Sequence, residues 1–306
     1  MVSRERMPNY IALKEPRTRP DVLHLFCTVE DSRMLTIRGA LIEAFKVEFP
    51  EILTVPEDLI DAYDMLEIRQ AALRLIKQYP ADTWCLNATC GTKLMSAALI
   101  SLFMEKGLEV YYVDTSGNSI RTLQPNWDSA NSKFESGISA TAFLRLFGIA
   151  AQTGSATDKE NHELVQLKTM DWEVFPNQKC YLDTKQPIME FDAICIDGYT
   201  VYAIEFKSRS AKRNQPQREF EHVITRDINR LQSFKNGLGG PFARCFWVLS
   251  GQADLSEAVR QRMQLLGVEA IIGLQSGTLR QELAKLGVPA ALRWQNDANA
   301  TDKRKK

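Results

Sequence analysis

Between residues 21 and 115, short β-branched apolar runs alternate with segments whose apolar residues recur at helical spacing. That is the pattern of strands joined by crossover helices in a largely parallel sheet. Residues 22–29, 53–55, 84–87 and 110–113 read as strands; residues 32–46, 58–78 and 93–106 read as helices, with Gly107 as a helix stop. The pattern predicts an α/β, Rossmann-like domain over residues 1–152 with a mainly parallel sheet. Residues 116–136, rich in Asn, Ser and Gly, read as a short strand pair or an irregular excursion. A helix over 138–151 then leads into the polar segment 152–158, taken as the domain junction.

Beyond the junction the order changes. A helix over 159–170 precedes several strands that run to Phe206, and a long polar helix spans 217–235. Then come a strand at 245–249, a helix at 255–266, a strand at 270–274 and a helix at 278–286. This predicts a second α/β domain with a mixed sheet over residues 153–296, followed by a disordered basic tail at 297–306.

Composition adds exclusions. With 38 Lys+Arg against 38 Asp+Glu, net charge gives no argument for or against nucleic acid, so that argument must be local. Six cysteines without a CxxC spacing suit a reducing cytoplasm and no zinc site. The polar N-terminus has no secretory pattern, and the apolar run 94–104 is only about half of the ~20 residues a membrane crossing needs. Three scattered histidines, His24, His162 and His222, make no nucleophile or metal triad.

Candidate chemistry concentrates between Glu190 and Lys207. Two β-like runs flank Asp197-Gly198, a strong signal for a two-residue hairpin turn. With those two residues as the turn, Asp192 lies opposite Ala203 and Glu190 opposite Glu205. Glu190, Asp192, Glu205 and Lys207 then share one face, while Phe191, Ala193, Tyr202, Ile204 and Phe206 share the other. Nearer the turn both faces are apolar, so the charges sit at one end of a buried hairpin rather than along a solvated edge. Clustered carboxylates there call for a cation, and oxygen ligands suit Mg²⁺ or Mn²⁺. Asp192 and Glu205 would hold the metal, with Lys207 placed to orient water or steady developing charge. A third acid, Glu163 or Glu160 one turn earlier, lies on the preceding helix. Downstream, Arg209, Lys212, Arg213 and Arg218 form a basic stretch suited to phosphate positioning.

A second stretch, from Trp84 to Met95, runs from a strand through a small polar turn into a helix. Helix-opening amides, the hydroxyls of Thr89 and Thr92 and the Lys93 ammonium form a candidate anion site. Neither a Walker A loop nor a dinucleotide fingerprint is present, which favours binding over hydrolysis.

The turn Asn87-Ala88-Thr89-Cys90-Gly91-Thr92-Lys93-Leu94-Met95 resembles the N-x-T-G-G-T-K-x-M turn of CARF domains, the cyclic-oligoadenylate sensors of type III CRISPR systems, with Cys90 in place of the first Gly. Fused to a restriction-endonuclease-like PD-(D/E)xK domain, the chain resembles the CRISPR ancillary nucleases over nearly its whole length. The resemblance implies an activator site at Asn87, Thr89, Cys90, Gly91, Thr92 and Lys93, flanked by the Met7-Pro8-Asn9 loop with Pro8 and Asn9. It implies chemistry at Asp192, Glu205, Lys207 and Glu163, a homodimer, cyclic tetra-adenylate as activator, and cleavage of DNA with RNA as a second candidate substrate. It also leads one to expect a full strand ahead of Met7, where this sequence is polar. The alternatives are an ungated repair or restriction nuclease, and a sensor whose nuclease fold no longer catalyses.

Overall fold

The computed structural model describes residues 1, 5–28, 32–115, 117–123, 129–153, 173–181, 189–208, 217–250, 255–275 and 278–288. Its first element is a helix, α1 (Met7–Lys14), where a loop is expected. Pro8 sits in the first turn, where a missing N–H breaks no intrahelical bond, and every residue from Met7 to Leu13 is buried. A helix buried on all sides shows no amphipathic period, so its sequence does not announce it.

Strand β1 (Val22–Thr28) pairs in parallel with β2 (Leu53–Ile60), with α2 (Ser32–Glu48) between them in sequence. The helix expected from residue 58 starts later, as α3 (Met65–Gln78), because Asp64 caps it by accepting from the Leu66 and Glu67 amides. Next come β3 (Cys85–Asn87), α4 (Lys93–Glu105) and β4 (Glu109–Asp114), with β3 and β4 parallel. The Asn- and Ser-rich region resolves into β5 (Ser119–Leu123) and β6 (Ser129–Lys133), both antiparallel. The single sheet expected here is two: β1–β2 and β3–β6. A cavity of about 120 Å³ lined by Leu23, His24, Trp84 and Tyr111 lies between them.

The helix expected over 138–151 is shorter, α5 (Ala140–Leu146). Gly148 at φ +66° ends it, and the chain passes into β7 (Ala150–Thr153). That strand is the edge of a six-stranded rear sheet with β8 (Glu173–Tyr181), β9 (Met189–Asp197), β10 (Thr200–Ser208), β11 (Ala243–Ser250) and β12 (Val268–Leu274), in order β12-β11-β10-β9-β8-β7. Strands β10 to β12 are parallel and the others antiparallel, so the sheet is mixed, as the sequence leads one to expect. The described residues are thus α/β in both parts. The helix expected over 159–170 and the tail 297–306 lie outside the described residues.

Two layers cover the rear sheet. Helix α6 (Gln217–Phe234) lays Ile224, Ile228 and Leu231 on the face that carries Val201, Ala203 and Trp247, in a core continuous with α1, α2 and α5. Helix α7 (Glu257–Leu266) adds Val259 and Met263 to that core. On the other face α8 (Leu279–Lys285) sets Leu279 and Leu283 against Tyr202, Ile204 and Phe246.

Front and rear are also stitched at the hairpin turn between β9 and β10. The Tyr199 hydroxyl donates to Glu15 Oε1 at 2.9 Å, and the same buried carboxylate accepts the amides of Glu135 and Ser136 at 2.9 and 3.0 Å. The Ile138 amide donates to the Gly198 carbonyl at 2.9 Å. A Cβ at Gly137 would stand 2.8 Å from that carbonyl oxygen, so the close approach requires glycine. None of the six cysteines is in a disulfide, and among the described residues no helix is long and apolar enough to cross a membrane.

Candidate functional site

The hairpin register differs from expectation by two residues. Asp197 pairs with Thr200, so Gly198 and Tyr199 form the turn rather than Asp197 and Gly198. Gly198 takes φ +58° and Tyr199 does not take a positive φ, the pattern of a type II′ turn. A slip of one residue would have reversed every side chain, whereas a slip of two preserves the faces. It moves Asp192 from opposite Ala203 towards Glu205. The ladder runs as far as Ala193↔Ile204, and beyond it the Asp192 carboxylate accepts the Phe206 amide at 2.7 Å.

Two neighbours depart from the expected alternation. Phe191, expected on the far face, packs edge-on against Phe234 of α6 at 4.9 Å. Glu190 pairs with Lys179 of β8 at 3.4 Å, both about half exposed, and stands outside the charged cluster.

The cluster itself is closed by two residues that the sequence reading missed. Glu205 Oε2 lies 3.3 Å from Lys207 Nζ, which lies 3.5 Å from Asp227 Oδ2 of α6. Asp227 Oδ1 lies 3.4 Å from Arg230, whose guanidinium lies 2.5 Å from Glu205 Oε1. Acid and base alternate around a ring of four. The acids are at the bottom, Glu205 at 1% and Asp227 at 0% exposure, with Lys207 and Arg230 about a quarter exposed above them. Trp247 of β11, the register partner of Glu205, is fully buried beside it.

Burial, and then the Asp192 carboxylate, push the Glu205 carboxyl up to about 8, against the pull of Arg230 and Lys207. Burial works against charge on Lys207, but Glu205, Asp227 and Asp192 outweigh it and raise its pKa above the usual lysine value. Lys207 is therefore a cation, suited to holding a phosphate oxygen and unsuited to taking a proton. A signal for Asp227 was present in the sequence: it sits three residues after Ile224 and four before Leu231, an acid inside the apolar stripe of α6.

Glu163, Glu160, Arg209, Lys212 and Arg213 lie outside the described residues, and Arg218 falls in the first turn of α6. Among the described residues no three His, Cys, Asp or Glu side chains gather closely enough to hold a metal alone.

At the front, β3 delivers Asn87 to the start of the turn. Its side chain donates to the Pro8 carbonyl at 3.3 Å and accepts the Thr89 amide at 3.1 Å. Asn9, 5% exposed, lies 3.5 Å from the same side chain, so Pro8 and Asn9 do flank the turn, from a helix. Both threonine hydroxyls are engaged internally. Thr89 Oγ1 accepts the Val113 amide at 2.8 Å, and Thr92 caps α4 by accepting the Met95 amide while donating to the Ala62 carbonyl. The positive φ of the turn, +90°, falls on Gly91, so Cys90 occupies its position without backbone strain. Lys93 is exposed at the first turn of α4, where the opening amides have no intrahelical acceptor.

These geometries can be set beside known proteins. No curated protein matches the chain. Among solved structures, Can2 from Sulfobacillus thermosulfidooxidans, solved in complex with cyclic tetra-adenylate, superposes with a TM-score of 0.71 at 16% identity, covering 92% of this chain and 97% of that one. Protein VC1899 from Vibrio cholerae gives a TM-score of 0.71 at 13% identity, with 93% and 96% covered. A type III CRISPR defence DNA nuclease activated by cyclic oligoadenylate gives 0.60 at 15%, covering 94% of this chain and 51% of that chain. At such identities the likeness is one of fold. The family model described as the Card1 CARF domain matches residues 1–141. Over residues 1–141 the chain is similar to the Card1 CARF domain, and its overall fold is similar to that of Can2.

Proposed function

We propose that this chain is a cyclic-oligoadenylate-gated, metal-dependent endonuclease that cleaves or nicks DNA, with RNA as a second substrate to test. The observation that carries the reading is the end of the β9–β10 hairpin. An acid buried to 1% exposure, beside a second acid and a lysine, occupies the one charged end of an apolar hairpin. A structural role does not call for that arrangement, because buried carboxylates are costly unless a cation or substrate chemistry uses them.

The donor set fits a hard divalent cation: Asp192 and Glu205 supply oxygens, and Glu205 Oε1 is buried without a hydrogen bond. When bound, such an ion polarises the phosphodiester and lowers the pKa of a water. Lys207 holds a phosphate oxygen and offsets negative charge that develops on it. Glu163 or Glu160 completes the acid set, while Arg209, Lys212, Arg213 and Arg218 hold the nucleic-acid backbone.

In the front domain, the helix-opening amides of α4 and Lys93 receive a phosphate of the activator, cyclic tetra-adenylate, on a frame set by Asn87, Thr89, Cys90, Gly91 and Thr92. Two copies of the chain share the activator; exposed Tyr63, Met65 and Leu66, beside the Ala62 carbonyl that Thr92 bonds, give an apolar surface for that pairing. The test is cleavage of supercoiled plasmid and of a labelled single strand with Mn²⁺, with and without cyclic tetra-adenylate. Cleavage that needs both supports the reading; cleavage indifferent to the activator removes the gate.

A further inference from the structure

We infer that Arg230 is a built-in counter-ion that occupies the Glu205 oxygen in place of the metal, and that Asp227 is the positioning residue that takes over Arg230 and Lys207 once Glu205 is given to the metal. The inference rests on the nuclease reading above and deepens it.

Three observations carry it. First, each acid in the ring touches both bases, so two acids face two bases without an outside ion. Asp192 stands beside the ring, where its carboxylate accepts the Phe206 amide at 2.7 Å and acts electrostatically on both Glu205 and Lys207. Second, the ring is only half closed by hydrogen bonds: Lys207 donates to Glu205 Oε2 at 3.3 Å and Arg230 to Asp227 Oδ1 at 3.4 Å, while the other two contacts are ion pairs alone. Glu205 Oε1, Asp227 Oδ2 and Arg230 Nε are all buried without a hydrogen-bond partner. A buried ion pair held in such incomplete geometry recovers little of its desolvation cost, so exchanging one of its cations is cheap. Third, Asp227 is fully buried in the stripe where α6 otherwise presents Ile224, Ile228 and Leu231. An apolar side chain would pack there at lower cost, and among the described residues the acid's cationic contacts are Lys207, Arg230 and the mostly exposed Arg226.

A divalent ion on Asp192 and Glu205 competes with Arg230 for Oε1 and repels its guanidinium. Arg230 stands one helical turn beyond Asp227 and already lies 3.4 Å from Oδ1, so it keeps a partner when it leaves. Lys207 likewise keeps Asp227 Oδ2 and stays aimed across the site. No covalent step is involved: the ring opens at one contact and the other charges remain paired.

The measurement is calorimetric titration of Mn²⁺ into the full-length chain without nucleic acid, alongside thermal unfolding of each variant. Removing the competing cation in R230Q should tighten Mn²⁺ binding about tenfold, whereas D227N, which drives both bases onto Glu205, should weaken it by about the same factor. R230K keeps the charge and should bind within about twofold of the parent. A merely structural ring predicts instead that R230Q and D227N lose binding together, in step with their melting temperatures. If R230Q does not melt cooperatively, R230M retains the packing of the stem and serves in its place. Binding abolished in E205Q but unchanged or weaker in a folded R230Q or R230M overturns the inference and leaves the nuclease reading standing. Absence of Mn²⁺ binding in the parent, or binding that survives E205Q, removes both.

Discussion

The two candidate sites solve opposite electrostatic problems. At the front turn almost every polar side chain is already satisfied within the protein: Asn87 binds the chain to α1, Thr89 holds β4, and Thr92 caps α4. What is left for a ligand is backbone and a single exposed lysine. At the hairpin end the side chains carry the chemistry and are left in tension, with a carboxyl near pKa 8 and buried oxygens without hydrogen bonds. A frame for an anion is built by fixing its side chains; a frame for a metal and a phosphodiester keeps its acids poised and underpaired. On the proposed function, the first kind of site is set before its ligand arrives, and the second is one that its ligand rearranges.

The sharpest way to break this comparison is at the rear. D192A or K207A should lower cleavage by on the order of 10²–10³-fold while activator binding, measured by calorimetry, stays at the parent level. Parent-level cleavage by either variant would show that the hairpin end is not the reactive site. Next in size, K93A removes the one charged contact of the front turn. The activator concentration for half-maximal cleavage should rise by about 10- to 100-fold, with the rate at saturation little changed. A loss of saturated rate with an unchanged midpoint would place Lys93 in the response to the activator rather than in its binding.

Smaller effects sharpen the picture. Y199F deletes the hydroxyl bonded to the buried Glu15 carboxylate and should cost about 1.5–3 kcal/mol in denaturant unfolding, because the acceptor is charged and buried. An unchanged midpoint would mean that the stitch between front and rear is replaced by other contacts. T92A should cost about 1 kcal/mol through loss of the α4 cap, whether or not activator is present. C90G should change the activator midpoint least of all, since the position does not use the positive φ that glycine provides.

How far the sequence could be read depended on whether a feature was local. The strand–turn–helix at Trp84–Met95 follows from spacing alone and stands where expected, and spacing also puts Asp192, Glu205 and Lys207 on one face, although Asp192 is displaced by two register positions. The turn of the hairpin does not, because Tyr199 is drawn into it by Glu15, 184 positions away in sequence, and by the Phe134 ring at 5.2 Å. No local rule contains that contact. Helix α1 was hidden by burial on every side, which erases the period by which a helix is recognised. Asp227 was legible in principle, as a charge at a core position of an amphipathic helix. It went unread because a long polar helix with many charges offers such a residue no contrast until its packing face is known.

Helix α1 reaches from the turn at residues 87–95, where Pro8 and Asn9 meet Asn87, to Glu15, which grips the turn of the hairpin that carries the acids at its far end. The front half cannot therefore be exchanged by cutting at a linker between two modules. A graft of this front half onto another rear half would have to bring along the buried helix, the segment 134–138 and a matching Gly-Tyr turn on the recipient. In this chain the two halves are parts of one joint, and either could be exchanged only together with the residues that form it.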